Sequence, residues 1–266
     1  DDTQLESVWP SQLSEEAPEM KAAVDDALAK MTSASLAELN EPQRKVIAQL
    51  LTRTHGSAPY LMFGPFGTGK TRTLIEFLRK LVAAPGAAKG GKKGAPAPGA
   101  ARVLVCSPSN SSVDKYITAL KELLGPEAML RVQAPHRLPG GYGPLKAYSH
   151  VDPKTGLYAL PEMAELLKKQ VVVSTTRSAS MLVSAAVPQG HFTHIIVDEA
   201  AQLMEAEALL PISLAGPSTA VVMAGDPMQL GPSTFTKVDS VHGVHCSIME
   251  RLQQTIDTYT QRVPSC

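Results

Sequence analysis

From Leu39 onward, short unbroken apolar runs alternate with segments whose apolar residues recur every three or four positions. The runs are YLMF (60–63), RVLVCS (102–107), VVVST (171–175) and the apolar openings of HIIVDEA (194–200) and AVVMAGD (220–226). Each is too short for a helix and too continuously apolar for a strand with one wet face. Each therefore predicts a strand buried on both sides. Between them, residues 71–82 place apolar side chains at 74, 75, 78, 81 and 82, which makes one face of a helix. A second helix is predicted from about 112 to 124 on Val113, Ile117, Leu120 and Leu124, and MLRVQAP (129–135) is a further candidate strand. Alternation of this kind implies an α/β fold, a mostly parallel sheet with helices on both faces. There is no internal repeat.

The remaining stretches set the domain limits. Residues 1–38 are acidic and Ala-rich, with weak helical periodicity around Met20–Met31. They predict a peripheral segment, either a packed helix or the end of a preceding domain. The main domain runs over 39–252, and 253–266 form a tail. Within the domain, AAPGAAKGGKKGAPAPGA (83–100) has nothing to bury and predicts a disordered surface insertion. Residues 135–160, rich in Gly, Pro, Tyr and His, read as irregular.

Composition narrows the classes only a little. The chain has 266 residues, 44% of them hydrophobic and 19% charged, enough for a sizeable core. Lys+Arg and Asp+Glu both total 25, so any basic surface for a polyanion must be local. Three cysteines (Cys106, Cys246, Cys266) make no disulfide framework and favour a reducing compartment. No run of 18 apolar residues is present, so no membrane span is expected. The chain opens Asp-Asp without a signal peptide and reads as a piece of a longer protein.

The chemistry concentrates after the apolar runs. GPFGTGKT (Gly64, Pro65, Phe66, Gly67, Thr68, Gly69, Lys70, Thr71) is a complete G-x-x-x-x-G-K-[ST] pattern between a predicted strand and a predicted helix. Its backbone N–H groups at a helix N-terminus would cradle phosphate oxygens. Lys70 would reach the β- and γ-phosphates, and the Thr71 hydroxyl would ligate Mg²⁺. HIIVDEA delivers Asp198 and Glu199 at a strand's C-terminal edge. One carboxylate there suits magnesium and the other suits activation of water, although an Asp-Glu pair taken alone also suits a helix cap. GDPMQLGP (225–232) brings Asp226 and Gln229 to the end of another strand, where a neutral amide can report the γ-phosphate; taken by itself, the stretch also suits a Pro/Gly turn.

Gln43, in LNEPQRKVI, offers donor and acceptor together for an adenine edge, and equally suits a helix start after Pro42. SPSNSSVD (107–114) and STTRSAS (174–180) end strands in small hydroxyl and amide residues. These suit contacts to a nucleic-acid backbone, or ordinary capping by Ser111 or Ser112. HGVHCS (242–247) has three candidate metal ligands and nothing distant to complete them, so it predicts no metal site.

In this order the motifs resemble the first motor domain of a superfamily 1 helicase, in the nonsense-mediated-decay-like branch. The likeness covers about 39–252 and is nearest the Armitage-type and zinc-finger-containing helicases. GPFGTGKT with Phe66, HFTHIIVDEA with MEAEALL, VDPKTGLYALP, GDPMQLGP and SIMERL carry it. The resemblance implies a RecA-like P-loop NTPase fold and ATP hydrolysis, with ATP and Mg²⁺ as cofactors. It further implies translocation on single-stranded RNA, in the cytoplasm with the nucleus as the alternative. It makes Gln43 the adenine reader, and Lys70, Asp198, Glu199 and Gln229 the catalytic set, with Thr71 and Asp198 on magnesium. Ser107, Ser109, Asn110 and Thr175 fall in segments that touch RNA in the family. After SIMERL the family continues into a second motor domain that supplies arginines to the γ-phosphate. No matching motif follows here, so one motor domain of a larger helicase is expected, poorly active alone. A truncated, non-catalytic nucleotide- or RNA-binding module, a DNA helicase of the same superfamily and an unrelated phosphate-loop ATPase or kinase are the rival classes.

Overall fold

The computed structural model describes residues 6–8, 18–31, 38–53, 58–83, 99–137, 144–229, 231–232 and 246–255. Most of the insertion predicted at 83–100, most of HGVHCS and the tail from 256 lie outside them. The chain divides into two compact units. One comprises 1–78, 199–206 and 220–266, and the other 79–198 and 207–219.

In the first unit, helix α1 (Pro18–Ala29) packs against α2 (Glu41–Thr52). The start of α2 is written into its sequence. The Asn40 side chain accepts from the Gln43 backbone N–H at 2.9 Å, and the Gln43 side-chain Oε1 accepts from the Asn40 backbone N–H at 3.0 Å. This reciprocal capping box, with Pro42 beside it, satisfies N–H groups that the first turn cannot. The inner face of α2 buries Val46, Ile47, Ala48 and Leu50. Strand β2 (Tyr60–Phe63) has all four residues buried and pairs in parallel with β7 (Ala220–Gly225), in the register Tyr60↔Val222 to Phe63↔Gly225. The short strand β1 (Glu6–Val8) lies antiparallel to β2 on its other side. Among the described residues it is the one antiparallel strand pairing, and weak periodicity in residues 1–38 did not announce it.

Gly225 closes β7 where the backbone is crowded. A Cβ there would meet the Ala201 nitrogen and the Met249 sulfur, both at 2.8 Å. Only glycine permits this approach of strand, turn 200–202 and the closing helix α8 (Ile248–Thr255).

The second unit is built on β3 (Val103–Ser107), flanked in parallel by β5 (Val171–Thr175) and β6 (His194–Val197). Strand β4 (Met129–Val132) lies beyond β5 and is parallel to it. Every residue of these four strands is buried, as continuous apolar runs demand. Helices α4 (Asn110–Leu120) and α6 (Thr176–Ser184) pack on β3 and β5. The remaining α-helices among the described residues are α3 (Lys70–Ala83), α5 (Met163–Leu166) and α7 (Glu205–Ile212). Helix α4 begins two residues earlier than its apolar spacing predicts, because its N-cap is Ser109 rather than Ser111 or Ser112: the Ser109 hydroxyl accepts from the Ser112 N–H at 3.1 Å. Hydrophobic periodicity locates a helix's buried face; the cap side chain locates its end.

Arg131 is the exception inside β4, with no side-chain exposure. Burial pulls its guanidinium below the ordinary arginine value, and the Asp114 carboxylate, 2.7 Å from Nε, works against that shift. A buried charge on an apolar strand has to be paired, and here the partner comes from α4.

Candidate nucleotide and nucleic-acid sites

In the first unit β2 ends at Phe63, and the chain turns through 64–69 into α3, which opens on Lys70 and Thr71. The turn is held by Thr68, whose hydroxyl donates to the Pro65 carbonyl at 2.8 Å. Gly67 and Gly69 take φ of 84° and 81°. At Gly69 a side chain is doubly excluded, since its Cβ would also lie 2.8 Å from the Gln43 amide nitrogen. The Lys70 ammonium donates to the Gly64 carbonyl and, at 3.1 Å, to the Pro65 carbonyl. It therefore lies folded over the loop's own concavity. A cationic group on neutral carbonyls, at a helix N-terminus entered through positive-φ glycines, fits a triphosphate: anionic oxygens are stronger acceptors than carbonyls. Thr71 is half-buried at the second position of α3, and Phe66 is 89% exposed at the loop's crest.

Gln43 is bound into this loop. Besides the capping box, its amide nitrogen donates to the Thr68 carbonyl at 2.9 Å. Both ends of its amide thus serve α2 and the phosphate loop, leaving one N–H and one lone pair for any base.

Glu199, half-buried, has φ 57° and ψ 34°, a left-handed conformation that costs a glutamate about 1–3 kcal/mol. Asp226 and Gln229 form a small turn after β7. The Asp226 carboxylate accepts from the Met228 N–H at 3.0 Å and from the Gln229 amide at 2.6 Å. The Gln229 side chain is held from behind by Asp226, which the sequence pattern alone did not pair with it.

In the second unit Asp198 follows β6 and is 1% exposed. Its N–H donates to the Cys106 carbonyl at 2.8 Å, continuing the ladder one residue past Val197. Its Oδ2 accepts from the Tyr116 hydroxyl at 2.7 Å. Burial in β3 pushes the Cys106 thiol up, away from the thiolate form.

The four residues predicted to touch a nucleic-acid backbone divide by accessibility. Asn110 is exposed and Ser109 half-buried at the start of α4; Ser107 and Thr175 are buried at strand ends. Thr175 caps α6, accepting from the Ser178 N–H at 3.2 Å. Asn110 Oδ1 accepts from both Arg131 and Arg137 at 2.8 Å, and Arg137 also donates to Gln133 at 2.7 Å. Neither arginine belongs to a motif in the sequence. The arginine inside MLRVQ was the signal, since a charge in an apolar strand implies a buried polar network. Tyr116 likewise belongs to no motif and lies inside the helix predicted from about 112 to 124. Among the described residues no group of three or more His, Cys, Asp or Glu could hold a metal. Magnesium at a phosphate loop does not need one, because it keeps waters and takes only one or two carboxylates. No helix among the described residues is long and apolar enough to cross a membrane.

A phosphate loop between a parallel strand and a helix, with acidic and amide residues at the ends of further strands, defines a P-loop NTPase domain. The family model for the AAA domain matches residues 38–140 and 159–237, and the chain belongs to that family. It is 34% identical to RNA helicase Mov10l1 of Homo sapiens over 219 residues, covering 80% of this chain and 16% of the relative. The Mus musculus protein of the same name is also 34% identical, over 80% of this chain and 17% of its own length. A third relative, "Probable helicase with zinc finger domain" of Homo sapiens, is 31% identical over 81% of this chain and 11% of its own length. The chain is thus a RecA-like motor domain of a superfamily 1 helicase in the nonsense-mediated-decay-like branch. It spans less than a fifth of each of these relatives.

Proposed function

We propose that this motor domain binds and hydrolyses ATP to drive movement along single-stranded RNA. The observation that carries the reading is the phosphate loop, complete in sequence and folded with Lys70 over its carbonyls. In this reading Gly64–Thr71 bind the phosphates, Lys70 neutralises the β- and γ-phosphates, and Gln43 holds the loop while offering its remaining hydrogen-bonding capacity to adenine. The Thr71 hydroxyl is assigned to magnesium, and so is the Asp198 carboxylate; magnesium, when bound, neutralises charge on the phosphate oxygens. Glu199 takes the proton of the attacking water. Gln229, steadied by Asp226, donates toward the γ-phosphate. Efficient turnover belongs to the complete protein, in which a second motor domain adds cationic groups.

On the polymer side, Ser109 and Asn110 supply accessible hydroxyl and amide groups for phosphate and ribose. Thr175 acts from beneath by capping α6, and the buried Ser107 hydroxyl, which makes no hydrogen bond of its own, lies at the end of β3 in the same segment as Ser109 and Asn110. Contacts of this kind position a strand without reading its bases. The choice of RNA over DNA draws on the name of the Mov10l1 relatives. Titration of a labelled single-stranded RNA, and of the DNA of the same sequence, tests it by fluorescence anisotropy. The expected result is tighter binding of RNA, because the 2′-OH is the group that separates the two polymers. Equal affinities, or tighter DNA binding, would assign the domain to DNA or to single strands at large.

A further inference from the structure

Two buried groups meet between α4 and the end of β6: the Tyr116 phenol, with no exposure, and the Asp198 carboxylate. The backbone of Asp198 is already fixed, since its N–H is tied to the Cys106 carbonyl of β3. Its carboxylate is held as well, by a 2.7 Å bond from the Tyr116 hydroxyl to Oδ2. The phenol is itself carried by a well-anchored helix. Ser109 caps α4, Asp114 is paired with buried Arg131, and Asn110 accepts from Arg131 and Arg137. A tyrosine placed here only for packing would not need its hydroxyl on a carboxylate, and its ring alone would fill the space.

We propose that Tyr116 is a positioning residue for Asp198, setting the orientation of the carboxylate that would hold magnesium. The inference rests on the reading that Asp198 is a magnesium ligand. Hydrogen-bond partners of metal-binding carboxylates set their orientation and basicity, and losing one typically lowers metal affinity about 10- to 100-fold.

The test is the magnesium dependence of nucleotide binding in Tyr116→Phe, which removes one oxygen atom and keeps the ring. Binding of a fluorescent ATP analogue is measured in EDTA and then across a magnesium titration, beside Asp198→Asn. Tyr116→Phe should keep its affinity in EDTA and need about 10- to 100-fold more magnesium to reach the midpoint. An unmoved midpoint in Tyr116→Phe, with Asp198→Asn displaced, overturns the positioning role and leaves the role of Asp198 standing. Unmoved midpoints in both remove Asp198 from the magnesium site, and the inference with it. A second measurement covers failure of the variant to fold: 3-fluorotyrosine placed at position 116 of the otherwise unchanged protein, followed by fluorine NMR. Its resonance should move when magnesium is added to the nucleotide complex. A resonance that responds to nucleotide alone and not to magnesium contradicts the proposal.

Discussion

Lys70→Ala should lower the affinity for Mg-ATP by about 10²–10⁴-fold while leaving the fold intact. The ammonium donates to the carbonyls of Gly64 and Pro65, at the rim of a half-exposed loop, so its removal opens no cavity in the core. On binding, the same group would exchange these neutral acceptors for oxygens of two phosphates. Hydrogen bonds involving a charged partner contribute about 1.5–3 kcal/mol each, so two give about 3–6 kcal/mol, and each 1.4 kcal/mol is tenfold in Kd. Isothermal titration of the folded variant checks it. Wild-type affinity would remove the phosphate-loop role from residues 64–71.

The second large effect is expected at Glu199. In the longest polypeptide that carries this domain, Glu199→Gln should bind ATP normally and hydrolyse it about 10²–10⁴-fold more slowly, the usual contribution of a positioned general base. The amide keeps the shape of the side chain but cannot take a proton from water. The backbone gives the position further meaning. A glutamate held at φ 57° is in a conformation that glycine or asparagine would occupy more easily. Strain persists where surrounding structure imposes it, and such residues cluster at functional sites. Glutamine bears nearly the same strain as glutamate, so the substitution isolates the proton transfer. Steady-state turnover beside an ATP-binding titration separates the two quantities. Turnover within about tenfold of wild type would mean that another group is the base.

How much of this could be read along the chain differs by element. The buried strands were legible because parallel strands covered on both faces leave unbroken apolar runs, and 171–175 was placed to the residue. The phosphate loop was legible because its chemistry dictates spacing: glycines where φ must be positive, then lysine and threonine at the helix start. Helix ends were less legible. Which of several serines caps α4 depends on local backbone angles, and Ser109 rather than a later serine has the extended conformation. Strand β1 escaped because three residues carry no periodicity worth the name.

Side-chain partnerships between distant positions were not legible at all. Tyr116 and Asp198 lie 82 residues apart, and Gln43 and Thr68 lie 25 apart. No local pattern encodes such pairs. A motif names the residue that does the chemistry, whereas the group holding it in place is free to come from any packed element. Gln43 shows the consequence. Its type and position suggested an adenine reader, and its geometry adds a second duty as a clamp on the phosphate loop.

In the proposed function this domain couples ATP hydrolysis to a single strand of RNA. The measurement that bears on it most directly is steady-state ATP turnover by the longest polypeptide carrying the domain, with and without saturating single-stranded RNA. The DNA of the same sequence serves as the comparison. The account predicts low turnover without polymer, a large stimulation by RNA and a weaker one by DNA, all abolished by Glu199→Gln. Turnover that is indifferent to RNA, in protein that binds both ATP and RNA, would contradict it.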